Sequence, residues 1–180
     1  IVPELSVWRT CDTTETAVAW KAALERLNGP TCLIFTRQKL PHQDRTPEQV
    51  RAIARGGYVL LDCGDNPEAI IIATGSEVQL AVAAARQLNE QGRRVRVVSM
   101  PSVDVFDAQD ADYRESVLPA AVTRRVVVEA AVTAPWYKYA GPQGVVIGID
   151  HFGVSGPPEI IFQHFGFTAE RVAATVLGLF

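Results

Sequence analysis

Ala69-Ile70-Ile71-Ile72-Ala73-Thr74-Gly75-Ser76-Glu77 joins an unbroken β-branched run to a glycine turn. Three consecutive isoleucines suit a parallel strand covered on both faces, because every side chain then meets a buried surface. Gly75 can take the turn, and Ser76 offers an oxygen able to cap a helix. Val78, Ala81, Val82, Ala85 and Leu88 recur at helical spacing, Gly92 stops that helix, and Val95-Arg96-Val97-Val98 opens a second strand. The spacing predicts one βαβ unit. Main-chain amides at such a turn make Thr74, Gly75 and Ser76 a candidate anion pocket, weighed against the plainer reading of strand-to-helix wiring.

Upstream, Leu5, Val7 and Trp8 mark a short strand or an extended lead-in. Asp12 and Glu15 then form a capping pair for a helix that places Ala17, Trp20, Leu24 and Leu27 on one face, and Asn28-Gly29-Pro30 ends it. Residues 31–36 read as a short apolar strand ending at Arg37. Ligands of open α/β sheets collect at the carboxyl ends of strands, so Arg37 is a candidate binding residue, against a solvated charge or an interface ion pair. From 38 to 57 the apolar runs give way to prolines, charges and a short polar helix, the pattern of a linker. One helix and one strand cannot bury a core of their own. Residues 1–43 are therefore expected to close an α/β domain whose earlier strands lie outside this chain, 44–57 to link, and 58–180 to form a second domain.

Downstream, 58–63 reads as a strand, Pro101-Ser102 ends another, and Phe106, Tyr113, Val117 and Leu118 sit on short helical turns. Segments 124–129 and 144–150 are further strands, Pro157 and Pro158 start a helix near Glu159, and Thr168 caps a last helix packed through Val172, Val176 and Leu179. The expected fold is α/β: a three-layer domain with a mostly parallel sheet of about five strands, preceded by a helix-strand remnant of another α/β domain.

A net charge of −3, with no basic cluster beyond Arg93-Arg94, argues against nucleic-acid binding. No stretch approaches the ~20 apolar residues of a membrane span. Cys11, Cys32 and Cys63 are widely spaced and suggest neither a disulfide framework nor a metal knuckle, so a reducing cytoplasm is the expected setting. Ile1-Val2-Pro3-Glu4 carries no initiator methionine or leader and reads as the interior of something longer. His42, His151 and His164 lie in separate segments without metal or relay spacing. Asp62, Asp65, Glu68 and Glu77 read as turn and helix-start charges and not as an acid/base pair. Trp136, Tyr137 and Tyr139 around Lys138 suit interface packing better than a stacking platform. No catalytic and no metal-binding residue is expected in this chain.

The strings Arg55-Gly56-Gly57-Tyr58-Val59-Leu60, Ala73-Thr74-Gly75-Ser76-Glu77-Val78, Val97-Val98-Ser99-Met100-Pro101, Ser116-Val117-Leu118-Pro119 and Trp136-Tyr137-Lys138-Tyr139 resemble the C-terminal portion of transketolases. Ala19-Trp20-Lys21, Gly29-Pro30-Thr31 and Thr36-Arg37-Gln38 extend the likeness, in the same order, over about Val7 to Phe167. The resemblance implies a cytoplasmic homodimer of the pentose phosphate pathway that uses thiamine diphosphate with Mg or Ca. Such an enzyme transfers a two-carbon ketol (glycolaldehyde) unit from a ketose phosphate such as xylulose 5-phosphate to an aldose phosphate such as ribose 5-phosphate. It further implies that 1–43 ends the pyrimidine-binding domain and that 58–180 is the C-terminal domain. Arg37 matches the family's arginine that grips the substrate phosphate, a task suited to a planar fork of donors. The family's metal ligands, activating glutamate and channel histidines have no match here, and His42 and His151 stand where the family has other residues. The chain alone is accordingly expected to hold no cofactor and to be catalytically silent. Two other readings stand beside this one: an independently folding dimerisation or effector-binding module, and the same domain of a sister thiamine enzyme such as deoxyxylulose-phosphate synthase.

Overall fold

The computed structural model describes residues 2–64 and 66–180, so the turn carboxylate Asp65 lies outside the described residues. In chain order the elements are β1 (Ser6–Arg9), α1 (Thr13–Glu25), β2 (Thr31–Ile34), α2 (Pro47–Ile53), β3 (Tyr58–Leu61), β4 (Ala69–Ala73) and α3 (Val78–Glu90). There follow β5 (Val95–Ser99), α4 (Val103–Asp107), α5 (Ala111–Val117), β6 (Arg125–Val128), α6 (Tyr137–Ala140), β7 (Val145–Ile147), α7 (Pro158–Phe165) and α8 (Ala169–Leu177). β1 and β2 form a parallel pair of their own, and the other strands form one sheet in the order β3-β5-β4-β6-β7.

The isoleucine run is the centre of that sheet. β4 pairs in parallel with β5 and with β6, setting Ile71 between Val97 and Val126. All five β4 residues are fully buried. Because successive side chains point to opposite faces, they serve two cores. Ile71, with Val97 and Val126, packs under α3 and α8 through Ala81, Ala85, Leu88, Val172 and Val176. Ile70 and Ile72, with Val98 and Val127, face Phe106, Val117, Trp136 and Tyr139 from α4, α5 and the turn into α6. This is the expected three-layer arrangement, with β3 as an antiparallel edge.

Several local expectations are corrected. Ser76 does not cap α3: Gly75–Glu77 form a 3₁₀ turn, the Ser76 hydroxyl donates to Glu77 Oε1 at 2.6 Å, and the α-helix begins at Val78. A serine beside a buried carboxylate satisfies that carboxylate before it can serve a helix end. Leu27 lies outside α1, and the expected packed face is largely open, with Trp20 51%, Leu24 75% and Leu27 95% exposed. α1 instead buries Glu15 and Ala19. The aromatic cluster turns inward: Trp136 and Tyr139 pack against each other and Tyr139 against Phe106, which leaves Tyr137 as the exposed member.

The order of the strands fixes where a crevice forms. The chain passes from β4 to β5 on one side and then crosses to β6 on the other. Neighbouring connections that leave in opposite directions open a gap beyond the carboxyl ends of the two strands, the usual ligand position in sheets of this kind. Here that gap lies beyond Ala73 and Val128.

Candidate functional site

Arg9, the last residue of β1, fills this gap. Its N–H donates to the Pro101 carbonyl beyond β5 at 2.7 Å, and its own carbonyl accepts from Thr74 Oγ1 beyond β4 at 3.1 Å. The guanidinium reaches Glu77 Oε2 at 2.8 Å through Nη2 and donates to Glu129 Oε1 through Nη1. Both glutamates are buried. Burial pushes the Glu77 carboxyl above its ordinary range against the pull of Arg9. Glu129 is pushed up to about 7, again by burial first, with Arg9 opposing and the Glu77 charge adding to the rise. The turn expected to offer an anion pocket at Thr74, Gly75 and Ser76 lies beside this arginine and its two carboxylates. An incoming anion would meet two carboxylates, and the crevice is built to receive a cation that the chain itself supplies. Gly75 serves the same end: at φ +58 it needs no Cβ, and a Cβ there would lie 3.1 Å from Arg9 Cγ.

A second cluster ties α1 to the sheet. Asp12 caps α1 by accepting from the Glu15 N–H at 3.0 Å, while its other oxygen accepts from Arg45 Nη1 at 2.6 Å and from the Gln43 N–H at 3.0 Å. Glu15 accepts from Tyr58 Oη at 2.8 Å, Ser99 Oγ at 2.6 Å and the Cys11 N–H at 2.8 Å. Burial works against ionised Asp12, yet the Arg45 guanidinium and the two amides hold its carboxyl below the ordinary range. Burial, then Glu15 and Asp12, drive the Cys11 thiol far upward, so it is no nucleophile.

Arg37 stands on the loop beyond β2. Thr36 Oγ1 donates to Gln38 Oε1 and accepts from the Gln38 N–H at 3.1 Å, a tight turn that leaves Arg37 exposed at its apex. Arg37 and Lys39 line a cleft of about 780 Å³ with Phe35, Pro158, Glu159 and Phe162. Among the described residues neither cation takes part in an ion pair. A guanidinium outside any ion pair at a strand end can donate two parallel hydrogen bonds to a phosphate.

The remaining candidates stay apart. His42 Nδ1 lies 3.5 Å from Asp12 Oδ2, whereas His151 and His164 pack around Phe165. Asp62 pairs with Arg96 and Glu68 with Arg94. Among the described residues no group of three or more His, Cys, Asp or Glu is placed to hold a metal. Reading by sequence missed Arg9, Arg45 and the inward role of Glu15. The strand-end rule that picked out Arg37 applies equally to Arg9 once 6–9 is taken as a strand.

Residues 56–168 match the family model described as the Transketolase-like TK C-terminal domain. The chain is 58% identical over 174 residues to Transketolase 1 of Escherichia coli, an alignment covering 97% of this chain and 26% of that protein. It is likewise 58% identical over 172 residues to Transketolase 1 of Vibrio cholerae, covering 96% and 26%. Transketolase from Leishmania mexicana superposes with a TM-score of 0.89 at 40% identity, over 98% of this chain and 25% of that one. The Pichia stipitis transketolase in complex with sedoheptulose 7-phosphate gives 0.87 at 41%, over 97% and 25%. The chain thus spans about a quarter of the length of the curated relatives it matches. The family model takes in the whole five-stranded sheet and most of its helices, and the alignments to the relatives run on over the segment that holds Arg9 and Arg37: the chain belongs to the transketolase C-terminal domain family.

Proposed function

We propose that this chain is the C-terminal part of a thiamine-diphosphate-dependent transketolase that moves a two-carbon ketol unit between sugar phosphates, with xylulose 5-phosphate and ribose 5-phosphate as representative donor and acceptor. In this reading 1–43 completes the pyrimidine-binding domain, 44–57 links, 58–180 is the C-terminal domain, and the intact protein is a cytoplasmic homodimer. The observation that carries it is Arg37, exposed on the rim of its cleft beside Lys39, with neither cation in an ion pair among the described residues although Glu159 lines the same cleft. Solved structures of Pichia stipitis transketolase include complexes with sedoheptulose 7-phosphate and fructose 6-phosphate, ligands whose phosphate calls for such a fork.

When bound, thiamine diphosphate supplies the carbanion nucleophile and the electron sink, with Mg or Ca holding its diphosphate. The residues described here do not fit that group: no metal cluster is present among them, and the sheet's crevice is lined by carboxylates. No step is assigned to it in this chain. What the chain contributes is the anchoring and orientation of the sugar phosphate by Arg37, with Lys39 adding a point charge.

Two measurements test the reading. The isolated chain, given thiamine diphosphate, Mg and both sugars, should give no ketol transfer, and turnover would refute its silence. In the intact enzyme, Arg37→Ala should raise KM for a phosphorylated aldose by about 10- to 100-fold, the loss of a charge-assisted pair of hydrogen bonds. An equal change for an unphosphorylated aldose would refute the phosphate role.

A further inference from the structure

A cleft of about 300 Å³ lies at the amino end of β6, among α4, α5 and α6, and shares no residue with the cleft of Arg37. Its charged lining is Arg114, Arg125 and Lys138 against Asp107 and Glu115. Lys138 Nζ donates to Asp107 Oδ2 at 2.6 Å, so these two neutralise each other. Glu115 Oε1 accepts from the Ala120 N–H at 2.9 Å. Like Arg114 and Arg125, Glu115 takes part in no ion pair among the described residues. Two guanidiniums therefore meet one carboxylate, and the cleft keeps a positive charge in excess.

Arg125 is its fixed part. The guanidinium donates through Nε to the Val122 carbonyl at 2.8 Å, through Nη1 to that of Tyr139 at 3.0 Å, and through Nη2 to those of Leu118 and Pro119 at 3.1 and 2.7 Å. The remaining Nη1 hydrogen finds no acceptor among the described residues. Carbonyls orient a guanidinium without cancelling its charge, and burial holds Arg125 below its ordinary range while Glu115 pulls the other way. A half-buried cation kept in place by neutral acceptors is a prepared partner for an anion. Arg114, exposed on α5, adds a second fork at the rim. Phe106, Leu118 and Tyr139, all buried, supply an apolar wall that a bare inorganic ion would leave unused.

We infer that this cleft binds a small organic monoanion, a carboxylate carrying an apolar body, with Arg114 and Arg125 on the carboxylate and the wall of Phe106 and Tyr139 on the body. The inference does not rest on the sugar-phosphate reading of Arg37.

Benzoate is the probe, titrated by calorimetry into the intact enzyme loaded with thiamine diphosphate, in an Arg37→Ala background that removes the exposed guanidinium of the other cleft. Benzamide has the ring without the charge and acetate the charge without the ring, and each should bind at least about tenfold more weakly than benzoate. Arg114→Gln should weaken benzoate about 3- to 10-fold, the worth of a charge-assisted contact near solvent. Glu115→Gln keeps an acceptor for the Ala120 amide but removes the opposing charge, and should tighten benzoate about 2- to 5-fold. Arg51→Gln, which alters an exposed arginine paired with Glu48 outside the cleft, should leave the affinity unchanged. Absence of benzoate binding, equal affinity for either control, or an unchanged affinity in Arg114→Gln overturns the inference. So does a loss in Arg51→Gln equal to that in Arg114→Gln, which would reduce the effect to overall charge. If Arg114→Gln does not fold, the sign in Glu115→Gln decides: tightening supports the inference, and no change or weakening overturns it.

Discussion

The two charge clusters that join β1 and α1 to the five-stranded sheet have the same make-up, one arginine and two carboxylates, and opposite electrostatics. Around Arg45, Asp12 and Glu15 accept hydrogen bonds on all four oxygens, from the guanidinium, three backbone amides and two hydroxyls. Asp12 is correspondingly held below the ordinary range. Around Arg9, Glu77 and Glu129 are both raised by burial that a single guanidinium does not offset. What differs is the supply of neutral donors. Amides and hydroxyls turn the first cluster into a satisfied lock, and their scarcity leaves the second one tense.

The largest effect that should separate the two follows from removing the Arg45 guanidinium, whose side chain is 1% exposed. Arg45→Met would strand Asp12 and Glu15 without a cation and should lose about 3–5 kcal/mol of unfolding free energy in urea. A loss under about 1 kcal/mol would mean that the neutral donors suffice and that the lock needs no cation.

Acidity should then pull the clusters apart. Asp12, with its folded value lowered, contributes stability that is present above its unfolded value and disappears as pH falls through the lowered one. Glu129 runs the other way: its folded value of about 7 exceeds the ordinary 4.5, so its contribution is full below 4.5 and is lost as pH rises through 7. Glu77 acts in the same direction as Glu129. Urea melts between pH 5 and 8 should show stability falling by at most about 3 kcal/mol, and Glu129→Gln should remove most of that slope. A slope of opposite sign, or one that Glu129→Gln leaves intact, would contradict the raised carboxyl.

The smallest effect sharpens the second cluster alone. Gly75→Ala places a Cβ at φ +58 and 3.1 Å from Arg9 Cγ. Strain of the left-handed backbone, with a displaced arginine added, should destabilise by about 1–2 kcal/mol. Thermal unfolding would check it, and an unchanged midpoint would mean that Arg9 moves aside freely.

How much of this was legible depended on whether a feature is settled by neighbours in sequence or in space. Ile70, Ile71 and Ile72 announced a doubly covered strand because burial on both faces removes any need for polar alternation, and the fold followed from it. Strand ends were less legible: 31–36 shortened to Thr31–Ile34 and 144–150 to Val145–Ile147, since a ladder stops where its partner does. The face of α1 was misjudged because apolar spacing favours Trp20 and Leu24, while Glu15 is drawn inward by Tyr58 and Ser99, which no local window contains. Arg37 could be singled out as a candidate by the strand-end rule and by resemblance. The occupant of the Thr74–Gly75–Ser76 turn could not, because Arg9 lies 65 residues from Thr74.

The seating of Arg9 between Glu77 and Glu129 also fixes an order of assembly. Arg9 is made 120 residues before Glu129. Until then the guanidinium has nowhere to seat, and closing so long a loop has to await the strands that form the receptor. The carboxylates that receive Arg9 are thus made after the residue they hold.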